Sequence, residues 1–317
     1  MKLQCPISKI LLPVDGSEHS QRAVKFAGYL GASLGKSLSS IALLHAITGS
    51  YLARHISYLD FRAELLKESE TFKRIREEYL NQNIKPSLDE MEKTLKDIGI
   101  SATIEKLIVD GDPATEIITI ADKGNYSAII MARRGLSEIK GFLLGSVTSK
   151  VVHAAIRQTV YIISHRILKD KTCPITRFLI PVDGSSHSMK GVEHAACLAK
   201  DLKDFMGKIT LLRVINLSLY MHRLKEGTDP EKEAGKILKG AKAILLDADI
   251  PESLITTRVK TGIPSDEILK EAEAEDYNLI IMGRKGRTAL KDFLLGGVSS
   301  TVLQRCQSSS IAVVSSE

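Results

Sequence analysis

The chain contains the same sequence twice, and this duplication limits its fold more than any other feature. CPISKILLPVDGSEHS, starting at Cys5, returns from Cys173 as CPITRFLIPVDGSSHS, with 11 of 16 positions identical at an offset of 168. A second block, YSAIIMARRGLSEIKGFLLGSVTSKV from Tyr126, returns from Tyr277 as YNLIIMGRKGRTALKDFLLGGVSSTV at an offset of 151. GDPATEII from Gly111 and GIPSDEIL from Gly262 share that second offset, so 17 extra residues lie in copy one between about Ala46 and Gly99. Repetition on this scale makes each copy a folding unit, and 317 residues suit two domains of ordinary size. The expected domains are 1–167 and 168–317. The junction HRILKDKT is too short for a free tether. An intrachain pseudo-dimer of the two copies is therefore expected, with a homodimer of the whole chain as a further expectation for which the sequence names no interface.

Within each copy the apolar period switches between strand and helix. In copy one, Ile7 to Val14 reads as a short buried strand, followed by the DGSEHS turn and an amphipathic helix to about Leu34. A strand from Leu38 to Ala46, a long charged helical stretch ending near Gly99 and a strand from Ala102 to Val109 come next. Asp112 and Pro113 open a helix with proline at its first position, where a missing N–H costs nothing. A strand from Ala128 to Met131, a glycine-containing loop, a helix from about Ser146 and a strand from Val160 to Ser164 complete the unit. Five short buried strands separated by helices imply an α/β fold: two tandem, doubly wound, five-stranded parallel-sheet (Rossmann-like) domains covered on both faces. Ligands of such a sheet sit at the carboxyl ends of its strands.

Composition narrows the ligand. The 44 basic and 38 acidic residues are spread along the whole chain, a mild excess that favours small anions rather than nucleic acid. There is no Trp and no aromatic-and-basic surface for stacking bases, so nucleic acid is not an expected partner. The apolar start is broken by Pro6, Ser8, Lys9, Pro13 and Asp15, and no run of 18 apolar residues follows, so neither a signal peptide nor a membrane partner is expected. The four cysteines form no C-x-x-C pair and no metal set, which fits a reducing cytoplasm.

Three segments meet at the carboxyl edge of each predicted sheet. They are Pro13 to Ser17, Ala46, and Met131 to Val147 in copy one, and Pro181 to Ser185, Val214, and Met282 to Val298 in copy two. Arg133-Arg134-Gly135 and Arg284-Lys285-Gly286 place basic side chains and a glycine directly after a strand, and Gly145-Ser146 and Gly296-Gly297 open a helix ten residues later. A glycine-rich loop entering a helix N-terminus presents free N–H groups to a polyphosphate. The Lys140/Lys291 pair and the FLLG ending recur in both loops. Neither copy contains a P-loop or a G-x-G-x-x-G motif.

The combination of P-V-D-G-S-x-H-S, the G-D-P turn and I-M-G-R-x-G with nine residues before G-S-V resembles the universal stress protein family, twice over and across essentially the whole chain. The resemblance implies a five-stranded α/β domain that binds ATP or AMP, with magnesium as an accompanying ion. It also implies that the early Asp and the residue ending the second strand hold adenine and ribose while the glycine loop holds phosphate. Carried over by motif position, the site residues are Pro13, Asp15, Ala46, Met131, Ala132, Gly135, Gly145, Ser146 and Val147. In copy two they are Pro181, Asp183, Val214, Met282, Gly283, Gly286, Gly296, Gly297 and Val298.

Each copy departs from the pattern in one place. Ala132 stands where the first loop glycine belongs, a cost of about 1–2 kcal/mol if that position takes a left-handed conformation or approaches phosphate closely. Gly297 stands where a serine hydroxyl belongs, and a neutral donor of that kind contributes about 0.5–1.5 kcal/mol. On this comparison copy two is the better-equipped site.

His19 and His187 recur in register but read as first-turn helix residues rather than acid–base catalysts. His45 reads as a packed histidine at a strand end, and Asp110 and Asp112 as a strand-to-helix turn with its N-cap rather than a metal site. The inserted helix from Tyr58 to Asn83, with Leu65, Leu66, Phe72, Ile75 and Tyr79 at helical spacing, fits either a stripe packed on its own domain or a lid or partner surface that distinguishes copy one. The expected function is an adenine-nucleotide-binding stress-response regulator without catalytic residues or efficient turnover. The alternatives are a slow ATPase or self-phosphorylating protein with Ser146 as acceptor, and a degenerate scaffold or metabolite-binding module.

Overall fold

In a computed structural model of the chain, residues 7–48, 70–135, 144–164, 175–202, 205–217, 220–221, 227, 229–286 and 295–315 are described, with 71, 72 and 75 described by backbone alone. The junction expected at residue 167, Lys140 and Lys291, and the part of the inserted helix before residue 70, including Leu65 and Leu66, lie outside the described residues, as do the side chains of Phe72 and Ile75.

Copy one runs β1 (Lys9–Pro13), α1 (Glu18–Leu34), β2 (Ser40–Ile47), α2 (Glu70–Tyr79), α3 (Lys85–Ile98), β3 (Thr103–Asp110), α4 (Pro113–Lys123), β4 (Ala128–Ala132), α5 (Ser146–Ala154) and β5 (Thr159–Ile163). Copy two repeats this as β6 (Arg177–Pro181), α6 (Ser186–Asp201), β7 (Lys208–Asn216), α7 (Pro230–Asp247), β8 (Ile255–Gly262), α8 (Pro264–Ala274), β9 (Leu279–Gly283), α9 (Gly297–Arg305) and β10 (Ser310–Val314). The strands form one ten-stranded sheet in the order β3-β2-β1-β4-β5-β10-β9-β6-β7-β8. Every neighbouring pair within a copy is parallel, whereas β5 and β10 pair antiparallel and join the copies. Two apolar layers cover the two faces, and each layer runs through both copies. Among the described residues no helix is long and apolar enough to cross a membrane.

The central strands are as buried as their sequence demands. β4, β5, β9 and β10 are buried at every position. The expectation of five buried strands fails at β3 and β8, which are sheet edges and alternate or largely expose their residues. Charge protects these edges from pairing with other chains. Lys106 of β3 lies 2.6 Å from Asp89 and 2.7 Å from Glu92, and Arg258 of β8 reaches Glu271 and Glu275 at 2.5 and 2.6 Å.

The length difference between the copies is located by the helix that precedes the edge strand. Leu80, Ile84, Leu88, Met91 and Leu95 are buried with the same spacing as Pro230, Ala234, Leu238, Ala241 and Leu245. Both helices end on a left-handed residue, Gly99 (φ 103°) and Asp249 (φ 64°), with Ile100 N and Ile250 N donating back to Leu95 O and Leu245 O. The offset between copies is therefore 150 here, so copy one carries 18 extra residues upstream and copy two one extra residue before β8. The net of these is the 17 residues read from the sequence.

At the seam, Tyr161 of β5 stands opposite Ala312 of β10. Its ring meets Phe26 of α1 at 6.1 Å between centroids, and its hydroxyl meets Nε2 of His194 of α6 at 2.5 Å. Phe26 and His194 hold equivalent positions in the duplication. His194 is fully buried, its Nδ1 has no partner among the described residues, and burial lowers its pKa to about 4. The unfolded chain takes up the proton near pH 6.5 while the folded chain resists it, so the stability from neutral His194 is whole above pH 6.5 and lost as pH falls towards 4. This amounts to about 3 kcal/mol over the interval. In urea unfolding at a series of pH values, His194→Phe, which places the copy-one ring in copy two, removes that component of the pH dependence.

Candidate anion-binding site at the strand ends

In each copy the chain order reverses between the first and fourth strands, β1 and β4 or β6 and β9, the place where open parallel α/β sheets take ligands at the carboxyl ends. β1 ends at Pro13, and Gly16 turns the chain with φ 80°. Asp15 Oδ1 accepts from Ser17 N at 3.1 Å and Ser17 Oγ at 2.6 Å, and Ser17 Oγ in turn caps α1 by accepting from Ser20 N. The other carboxylate oxygen faces the loop after β4, where a Cβ at position 135 would lie 2.1 Å from Asp15 Oδ2. A side chain at 135 would have to push that carboxylate aside. Copy two repeats the arrangement: Asp183 Oδ1 accepts from Ser185 N at 2.9 Å, and a Cβ at 286 would lie 2.7 Å from Asp183 Oδ2.

Helices α5 and α9 begin differently from most of their neighbours. α1, α4, α6 and α7 are capped by Ser17, Asp112, Ser185 and Asp229 side chains. α5 and α9 start after Gly145 and Gly296, with no side-chain cap and no acidic residue in the first turn. Their first-turn N–H groups thus have no side-chain acceptor to satisfy them, and the positive end of the helix dipole is left uncompensated. The start of α5 is held in place by Gly145 N donating to Arg133 O at 2.9 Å and Thr148 Oγ1 to Ala132 O at 3.0 Å. Gly296 N to Arg284 O at 2.8 Å and Ser299 Oγ to Gly283 O at 2.9 Å do the same for α9.

In copy one these parts enclose a cavity of about 480 Å³. Pro13, Asp15, Ala46, Met131, Ala132, Gly135, Gly145, Ser146 and Val147 all line it, so the structure brings together the whole copy-one set expected from the motifs. Of the copy-two set, Pro181, Val214, Met282 and Gly283 lie on β6, β7 and β9. Asp183 faces Gly286, Gly296 caps α9, and Gly297 and Val298 begin it.

Sequence reasoning did not assign Tyr79, Asn83, Ile84 and Ser87 to the site, yet they form one wall of the cavity. The helix that copy two starts at Pro230 continues in copy one through a π-type turn, Leu80–Ile84, into α2. Tyr79 takes the place of the capping Asp229. In the described part of the inserted helix Leu80 packs on the domain, while Tyr79 and Asn83 line the cavity. Arg76 of α2 fastens the extension to the end of β3 through Asp110, with Nη2 2.7 Å from Oδ2. Asp112 caps α4 as expected, accepting from Thr115 N at 3.0 Å. His45 lines the cavity rather than being only packed; burial lowers its pKa and the nearby Asp15 charge opposes the shift.

Two expectations change. The first arginine of each basic pair does not face the crevice. Arg134 lines the cavity, but Arg133 and Arg284 are buried and reach across the seam to the other copy. The second change concerns Ala132 and Gly283, neither of which is left-handed. Glycine at 283 instead allows α6 to approach, since a Cβ there would lie 2.3 Å from the His187 carbonyl oxygen. Gly191 of α6 packs on the same spot, with its Cβ position 3.4 Å from Gly283 N, and copy one has Ala23 and Ala132 at the two equivalent places. The conformational reason for ranking copy two first is therefore absent.

The geometry defines a tandem pair of open parallel α/β domains, each with an uncapped helix N-terminus opposite a fixed aspartate. The sequence profile of the universal stress protein family matches residues 6–160 and 174–314, and the chain belongs to that family. It is 22% identical to the universal stress protein Slr1230 of Synechocystis over 307 residues, covering 94% of this chain and 97% of that protein. It is 32% identical to the universal stress protein MJ0577 of Methanocaldococcus jannaschii over 146 residues, 45% of this chain and 87% of that one. The crystal structure of a universal stress protein from Archaeoglobus fulgidus shares the fold at a TM-score of 0.65 and 24% identity, covering 99% of this chain and 100% of that one.

The packing at 283 and the open space at 297 make opposite substitutions informative. Gly283→Ala forces a methyl against backbone and is expected to destabilise by about 1–3 kcal/mol. A Cβ at 297 meets nothing within 4 Å. Gly297→Ser, which restores the hydroxyl of copy one and replaces a poor helix former, is expected to stabilise by about 0.5 kcal/mol. Thermal unfolding of the two variants reads both signs.

Proposed function

We propose that each copy binds an adenine nucleotide, ATP or AMP, at its strand ends, and that the chain is a nucleotide-responsive stress-regulatory protein without efficient turnover. The observation that carries this reading is the uncapped start of α5 opening into a cavity that also presents Asp15. The N–H groups of Ser146 and Val147 with the Arg134 side chain suit phosphate, because they combine a helix dipole, free donors and a positive charge. Asp15 accepts hydrogen bonds, which suits ribose hydroxyls or an exocyclic amine. Met131, Ile117 and the ring of Tyr79 supply an apolar wall for a flat base. The residues present thus fit the nucleotide.

The absence of efficient turnover is supported by the donor set. Among the described residues Asp15 is the one carboxylate in the lining, and its Oδ1 is already engaged by Ser17. Transfer of a phosphoryl group draws on metal ligands and a residue that positions the attacking oxygen, and a single carboxylate does not supply both.

Acid extraction of the purified protein is expected to release adenine nucleotide. Calorimetry on nucleotide-free protein is expected to give roughly micromolar dissociation constants and a stabilisation of about 2.7 kcal/mol at a hundredfold excess of ligand over that constant. Gly135→Val, which displaces the Asp15 carboxylate, removes one of two binding equivalents. Tyr79→Ala weakens the same site by roughly tenfold and leaves the other unchanged. A protein that shows neither heat nor thermal shift with millimolar ATP or AMP lacks this function.

A further inference from the structure

Arg133 and Arg284 each hold two helices that belong to different copies. The carbonyl of Arg133 accepts from Gly145 N at 2.9 Å, at the start of α5, while its guanidinium donates to Leu303 O and, at 3.2 Å, to Gln304 O in the last turn of α9. Arg284 mirrors this. Its carbonyl accepts from Gly296 N at 2.8 Å, at the start of α9, and its guanidinium donates to Val152 O and, at 2.8 Å, to His153 O at the end of α5. Each helix is thus held at its N-cap by the backbone of the arginine of its own copy and at its last turn by the side chain of the arginine of the other. Arg133, α5, Arg284 and α9 form a closed ring across the seam.

The arginine side chains are part of the interior, at 4% and 1% exposure. A guanidinium there requires compensation, and the carboxyl end of a helix supplies about half a negative charge together with unpaired carbonyls. Burial lowers the pKa of Arg284 to about 10, which leaves it charged at neutral pH. Arg133 has no carboxylate partner among the described residues, so the α9 terminus is what balances it. Both charges are placed against the last turn of the opposite copy's helix, and both helices begin at the proposed phosphate positions.

We propose that Arg133 and Arg284 are positioning residues that couple the two nucleotide sites, so that occupation of one strengthens binding at the other. The proposal rests on the nucleotide-binding reading above. A phosphate at the start of α5 fixes that helix along its axis, and its last carbonyls fix the Arg284 guanidinium. The Arg284 backbone in turn fixes Gly296 and the start of α9, so the second ligand has less ordering left to supply. The same path runs through α9 and Arg133 in the reverse direction, as reciprocity of coupling requires.

The test is a titration of the nucleotide-free full chain with ATP, analysed as two steps, for the natural protein, Arg133→Met, Arg284→Met and Arg284→Lys. In the natural protein the second step is expected to be about fivefold or more tighter than the first, the lower range of measured coupling between sites. Each Met variant breaks one of the two paths and is expected to bind two equivalents with the difference between the steps reduced. Arg284→Lys keeps the charge and a donor, and is expected to recover part of the difference. If the Met variants do not fold, the Lys variant and hydrogen exchange of Gly135→Val, which restricts ATP to copy two, carry the test, with protection of the last turn of α5 rising when ATP is added. Two independent steps in the natural protein, or coupling undiminished in both Met variants, overturn the coupling alone. Failure of ATP to bind at all overturns the nucleotide reading and the coupling with it.

Discussion

The antiparallel pairing of β5 with β10 is the contact on which the rest of the molecule depends. Both strands are buried at every position, and a lone copy would present one of them as an apolar edge with its backbone unpaired. Joining them turns two half-covered sheets into one and allows each apolar layer to run through both copies. It also places the ends of α5 and α9 within reach of the opposite arginines.

Most of the fold was legible in the sequence, for identifiable reasons. Short apolar runs such as AIIMA and TVYII have only one place in a protein of this kind, the middle of a covered parallel sheet. Caps such as Ser17 and Asp112 announced their helices by residue type. The edge strands were harder, because burial there is decided by which neighbour is missing, and that is a property of the sheet rather than of the TIEKLIVD segment. The chemistry of the site was legible where a residue acts through its backbone or its own turn, as with Asp15 and Gly135. It was not legible for Arg133, since the partner of that side chain is a set of main-chain carbonyls some 170 residues away, and no residue type marks them. Tyr79 was visible as a member of a helical stripe but not as a wall, because the π-type turn that follows it changes which face the helix presents.

The two copies show how one fold accommodates drift. Alanine at 23 and 132 and glycine at 191 and 283 are alternative occupants of the same helix-on-strand contact. Phe26 and His194 are likewise two rings against one tyrosine. The largest divergence, the extension of the helix through α2, lies at a strand-end mouth where added chain meets solvent on one side and ligand space on the other. The core tolerated no comparable insertion.

Because the seam is antiparallel, the strands of the two copies point in opposite directions, and their carboxyl ends lie on opposite edges of the shared sheet. The two crevices accordingly open away from each other. A flat surface or a single globular partner resting on one edge can obstruct one entrance while the other stays open to diffusing ligand. A complex formed at either edge would therefore still exchange small molecules with its surroundings through the far side, and the protein can be tethered without being sealed.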